Sequence, residues 1–293
     1  MKIYDCFLYC NEDIILDVRL NTLNKFVDKF VIVESKYYHN GQYKGLNFNI
    51  ENYEKFKEKI VYLAINEKPD DLEKLEAKKN NISKKIMNAI KFENDQRNYI
   101  QNAIIDCEDD DIIILSDIDE IPKLDGLNFL KINDEIIHFN QKYCYYKFNL
   151  FNPNQSWFGS RLIKKKNLKN PQWLRNLKIK KYPFWRIDKI FDDKIYPNFK
   201  LIQNGGWHFS YLNNPEGILN KLQTYLHHVD FENQKLSQQD IAEYIKKRKP
   251  VYDLSSDQKQ NKLNSNIMLE KIDDNELPAY ITDNIVKFRE WLI

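Results

Sequence analysis

The chain is predicted to be an α/β protein: a mixed sheet flanked by helices, with a helical extension at its carboxyl end. Three observations carry this. Phe30-Val31-Ile32-Val33 and Ile112-Ile113-Ile114-Leu115 are apolar, rich in β-branched residues and too short for helices. Such runs suit strands buried on both faces. Between strand candidates, apolar residues recur at near-helical spacing, first at Ile14, Ile15, Val18, Leu23, Phe26 and Val27. A strand–helix–strand order implies a parallel pair joined by a right-handed crossover.

Residues 2–9 read as the first strand, and Asn11-Glu12-Asp13 stands where a helix start belongs. The second strand, from Phe30, ends in Glu34-Ser35. A loop with Gly41 and Gly45 leads to a short helix over 51–59 and a third strand at 60–65. Residues 69–107 read as mostly helical, with Gln96-Arg97-Asn98 one helix before the next strand. That strand ends in Ser116-Asp117-Ile118-Asp119-Glu120-Ile121-Pro122. Residues two apart in extended chain point to the same side, so Asp117 and Asp119 project together from a strand's carboxyl end. Open α/β sheets bind ligands there. Two adjacent carboxylates suit a hard divalent ion, and the same residues equally suit a solvated acidic turn.

Residues 136–140 and 142–151 alternate polar and apolar, as antiparallel strands do. The stretch 164–200 is basic and aromatic, either a solvated lysine-rich loop or an acceptor contact. Gly205-Gly206-Trp207-His208 precedes a helix opened by Pro215-Glu216-Gly217 and running to His227-His228. Ser237 and Asp240 form a capping box for another helix. A last amphipathic helix is expected over 281–292. The expected division is a catalytic domain at 1–232, in halves 1–122 and 123–232, with a helical extension at 233–293.

The 293 residues are 42% hydrophobic and 14% aromatic, ample for a large core. There are seven glycines and no Walker A or GxGxxG pattern, so ATPase and dinucleotide readings lack support. A net charge of +2 gives no footprint for nucleic acid. Four cysteines without CxxC read as packed free thiols in a reducing compartment. No run approaches about 18 apolar residues and no signal peptide is visible, so a soluble cytoplasmic protein without a transmembrane segment is expected.

Taken in order, these pieces resemble a GT-A nucleotide-sugar glycosyltransferase. The closer resemblance is to glycosyltransferase family 17, the family of the bisecting β-1,4-N-acetylglucosaminyltransferase. It rests on residues 2–8 with Asn11-Glu12 and Arg19, on residues 30–35 and 41–48, and on Gln96-Arg97-Asn98. It continues in the run 116–122, in Gly206-Trp207-His208-Phe209-Ser210, and in Pro215-Glu216-Gly217-Ile218 with Lys221. The resemblance implies inverting transfer of a sugar, N-acetylglucosamine, from a UDP-sugar donor to a glycan acceptor, with Mn2+ or Mg2+ on the leaving diphosphate. On that basis Asp117, Asp119 and His208 are candidate metal ligands. Asp117, Arg97 and His228 face the diphosphate, and Glu34 the uridine or ribose. Glu216, then Glu120, are candidates for the base. His208 could instead be a hydrogen-bonded core histidine, and His228 a cap on helix carbonyls. Two other classes compete: a haloacid dehalogenase-type phosphatase, which also places Asp-x-Asp after a buried strand, and a non-catalytic sugar-binding module.

Overall fold

The computed structural model describes residues 1–77, 81–179, 196, 198–226, 228–232, 236–251 and 267–293. The amino-terminal half forms β1 (Ile3–Leu8), α1 (Asp13–Leu23), β2 (Lys29–Ser35), β3 (Ile60–Ile65), α2 (Ile82–Tyr99) and β4 (Ile112–Asp117). Then come β5 (Glu120–Pro122), β6 (Ile136–Phe139), β7 (Gln141–Tyr145), β8 (Leu150–Trp157), β9 (Arg161–Lys164) and α3 (Pro171–Asn176). The chain continues through β10 (Phe199–Ile202), β11 (Gly206–Ser210), α4 (Pro215–Thr224), α5 (Val229–Glu232), α6 (Gln238–Lys246), β12 (Glu270–Lys271) and α7 (Ala279–Asp283).

The larger sheet has the order β10-β6-β9-β4-β1-β2-β3. Strands β4, β1, β2 and β3 run parallel, and β9 lies antiparallel to both β4 and β6. Its strands β2 and β4 carry apolar runs on both faces because both faces are covered. Phe30, Ile32, Ile112 and Ile114 pack with Ile15, Leu16 and Leu20 of α1. Their neighbours Val31, Val33, Ile113 and Leu115 pack with Ile100, Ile104 and Leu174 on the opposite face. A smaller sheet of order β12-β8-β7-β11-β5 adjoins it. From β1 the chain winds one way to β2 and β3, and β4 lies on β1's other side. The crevice between the carboxyl ends of β1 and β4 is therefore the switch point, where open α/β sheets take their ligands.

Several local expectations are corrected. The regular helix in 69–107 is confined to Ile82–Tyr99, followed by a 3-10 turn at Ile100–Ala103. The segment 51–59 is 3-10 helix. Strands β6, β9 and β10 from the second half join the larger sheet, in keeping with one domain built from both halves. The carboxyl segment contributes a strand, β12, beside its helices, and the helix expected over 281–292 shrinks to α7 and a 3-10 turn at Arg289–Trp291. Helix α4 stops at Thr224, short of His227, which lies outside the described residues together with Lys180, Lys181 and Trp185. The capping box at Ser237 and Asp240 is present. All four cysteines are free.

Candidate active site

The turn joining β4 to β5 carries Asp117, Asp119 and Glu120 into the switch-point crevice. It is held from beneath by Arg19 of α1, which is fully buried. Arg19 Nε and Nη2 donate to the two oxygens of buried Asp5 at 2.8 and 2.6 Å. Its Nη1 donates to the carbonyls of Asp117, Ile118 and Glu120 at 3.1, 3.2 and 2.7 Å. The bidentate geometry on Asp5 fixes the guanidinium, and the guanidinium then holds three carbonyls of the turn.

Strand β11 brings His208 alongside. It pairs with β5 so that His208 lies opposite Glu120, and Phe209 N donates to the Asp119 carbonyl at 2.8 Å. That approach needs Gly206, whose φ is +125° and whose added Cβ would stand 2.1 Å from the Ile121 carbonyl oxygen. His208 is stacked on Tyr143 at 4.4 Å and flanked by Trp157 at 4.6 Å. Its Nε2 lies 3.5 Å from Asp119 Oδ1, and its buried Nδ1 has no hydrogen-bond partner. Lys221 of α4 reaches the same carboxylate, with Nζ 3.2 Å from Asp119 Oδ2 and 3.9 Å from Glu12 Oε1. Glu12 follows β1. Its Oε2 accepts from Cys10 N at 2.8 Å. Burial raises the Glu12 pKa against the opposing pull of Lys221, and Asp119 raises it further. Burial would likewise raise Asp119, but the Lys221 ammonium and then His208 outweigh it and hold Asp119 well below the usual carboxylate range.

Asp117 has a different environment. Arg97 donates to its Oδ1 at 3.0 Å and Arg175 to its Oδ2 at 2.7 Å. The two guanidinium charges, Arg175 ahead of Arg97, overcome burial and lower the Asp117 pKa to about 2. Glu120 is fully buried and saturated. Trp157 Nε1 donates to Oε1 at 2.7 Å, Asp117 N to Oε2 at 2.9 Å, and Arg175 to both. Gly159 abuts this carboxyl group so closely that an added Cβ would stand 2.0 Å from Glu120 Cδ.

These contacts sort the expected site residues. Asp119 and His208 are brought together. Each oxygen of Asp117 accepts from an arginine, so the two guanidinium groups compete with any metal, and with any phosphoryl group, for a carboxylate that stays 35% exposed. Arg97 donates through both terminal nitrogens to Gln172, Glu93 and Asp117, so three of its five N–H groups are engaged within the protein, and its buried Nε has no partner. Glu34 does not present a carboxylate to ribose: Lys44, Asn47, Phe48 and Tyr62 all donate to it, and it pins the loop after β2. His228 Nδ1 faces the Tyr225 carbonyl at 2.9 Å, beside the end of α4. Glu120 is structural rather than a base. Glu216 is exposed in the first turn of α4. At about 100° per residue it points about 200° from buried Ile218 and about 140° from Lys221, away from Asp119.

Sequence reasoning missed Glu12 as a site residue, although it stands beside the strand end that the pattern marked. It also missed Arg175 and α3, although Asn170-Pro171 is a helix-start signal: Asn170 caps Trp173 N at 2.7 Å. Part of the basic stretch is thus site rather than solvated loop.

No described helix is long and apolar enough to cross a membrane. A search of curated proteins finds no match. The family model described as glycosyltransferase family 17 matches residues 1–173, which include Glu12, Arg19, Arg97, the turn at 117–120 and the first half of α3. His208 and Lys221 lie beyond that match. With well over half its length matched and the turn set at the sheet's switch point, the chain belongs to glycosyltransferase family 17.

Proposed function

We propose that the protein transfers N-acetylglucosamine from a UDP donor to a glycan hydroxyl, inverting the anomeric carbon, with Mn2+ or Mg2+ held by Asp119 and His208. The observation that carries this reading is the convergence of Asp119, His208 and Lys221 at the carboxyl end of β4. The donor set fits such an ion. Hard divalent ions at phosphates need only one or two carboxylates beside substrate oxygens, and imidazole suits Mn2+. Among the described residues no three His, Cys, Asp or Glu side chains are grouped to hold a metal alone. The remaining positions would fall to diphosphate and water. When bound, the ion supplies positive charge to the leaving diphosphate.

The chain's own residues do the rest. Arg19, Arg97 and Arg175 fix the turn that carries Asp119. Glu12 takes the acceptor proton: its Oε2 is anchored on Cys10 N, while its Oε1 lies 3.9 Å from Lys221, beyond hydrogen-bond length. In a single displacement the acceptor oxygen bonds to the anomeric carbon. The bond to UDP breaks with its electron pair staying on the β-phosphate oxygen, and the hydroxyl proton passes to Glu12.

The test is release of UDP from UDP-N-acetylglucosamine and a panel of other UDP-sugars, with Mn2+ and hexose-terminated glycans. Asp119→Asn and Glu12→Gln are expected to lower turnover by about 100-fold or more, and Glu216→Gln to leave it near wild type. Failure of the wild-type chain to release UDP from any donor sinks the reading. A Glu216→Gln loss as deep as that of Glu12→Gln returns the base to Glu216.

A further inference from the structure

Among the described residues, Lys221 is the cation of the site not committed to the turn. Arg97 and Arg175 are engaged with Asp117, and Arg175 also with Glu120 and the Gly159 carbonyl. Lys221 has one carboxylate within hydrogen-bond distance, Asp119, and a second, Glu12, farther off. Its side chain is 32% exposed, and its ammonium passes 5.9 Å from the ring centre of Tyr211. A single ammonium faces two carboxylates, and on the far side of Asp119 lies the 94%-buried His208 ring, whose Nδ1 has no hydrogen-bond partner. One positive charge leaves this group short of cation.

We propose that Lys221 is a donor-diphosphate ligand which, in the donor-free protein, occupies the cation position between Asp119 and Glu12. This rests on the glycosyltransferase reading above. A lysine suits the exchange: it is a point charge on a flexible four-carbon stem and binds phosphate without a fixed fork geometry. A divalent ion on Asp119 and His208 repels the ammonium, and an incoming diphosphate accepts it. Ion and ammonium therefore compete when donor is absent and cooperate when it is bound. The exchange also uncovers Glu12, so the proposed base is freed as the donor seats.

The competition gives one substitution two effects of opposite sign. Lys221→Met keeps the apolar stem beside Tyr211 and removes the charge. Mn2+ binding without nucleotide, followed by electron paramagnetic resonance, is expected to tighten by about tenfold. Binding of UDP in the presence of Mn2+, followed by calorimetry, is expected to weaken by about tenfold or more. Lys221→Arg should recover much of the UDP affinity, and Lys221→Gln should repeat the Met result. A merely structural lysine would weaken both ligands together. Mn2+ affinity that is unchanged or lower, or UDP affinity that is unchanged, overturns the proposal while leaving the glycosyltransferase reading intact. A wild-type chain that binds no UDP overturns both.

Discussion

Replacing Arg19 by Met separates what holds the protein together from what holds its site. The substitution leaves Asp5 fully buried with no counter-charge and strips three carbonyls of the donor that bends the turn at 117–120. Removing one partner of a buried ion pair costs about 3–5 kcal/mol, a large share of the roughly 5–15 kcal/mol that keeps a domain folded. A second change, Asp5→Asn, removes the stranded charge. The double variant is expected to recover the part of the lost stability that the stranded charge costs, while the three carbonyls remain without their donor. Turnover should not recover with it, because the turn still lacks its clamp. Urea unfolding followed by tryptophan fluorescence gives the stability, and UDP release gives the activity. An Arg19→Met variant within about 1 kcal/mol of wild type would contradict the burial argument. A double variant that regains turnover along with stability would show that Arg19 serves the core alone.

Gly159→Ala drives a methyl group into the Glu120 carboxyl, which is surrounded by donors and has nowhere to move. Turnover is expected to drop at least about tenfold while urea stability falls by about 1–3 kcal/mol; unchanged turnover would show that Glu120 does not set the turn. His138 supplies a pH test. Burial, and then the charge of Arg161, push its pKa from 6.5 to about 3. The unfolded chain therefore binds the extra proton first, so this contribution to stability is intact above pH 6.5 and is lost as the pH falls toward 3. His138→Gln should flatten that acid limb in urea titrations at graded pH, and an unaltered limb refutes the assignment.

The sheet was legible because its information is local. The runs at 30–33 and 112–115 are apolar at every position, which only a strand covered on both faces requires, and both occupy the larger sheet. The turn at 117–120 was legible for the same reason. Helix ends were harder. Residues 69–107 are rich in helix-forming lysine, yet among the described residues only Ile82–Tyr99 forms a regular helix there, where Ala89 and Phe92 find a face to bury. Propensity without packing does not hold a helix. Trp291 and Phe288 looked like a helical stripe but are set by docking on Phe148, whose N donates to the Trp291 carbonyl.

Sequence alone determined the class of fold, the acidic turn at a strand's carboxyl end and the resemblance to a glycosyltransferase family. Only the tertiary structure decided which carboxylates of that turn are available. A carboxylate held by several fixed donors is a poorer ligand or base than one held by a single displaceable cation. The cations here arrive from afar: Arg175 lies 58 residues from Asp117, and Lys221 lies 102 residues from Asp119. Periodicity and spacing describe neighbours along the chain and carry nothing about such pairings. Asp117 and Glu120 thus look like Asp119 in sequence. Folding makes the first two struts and leaves the third, with Glu12 beside it, facing a lysine that a ligand can displace.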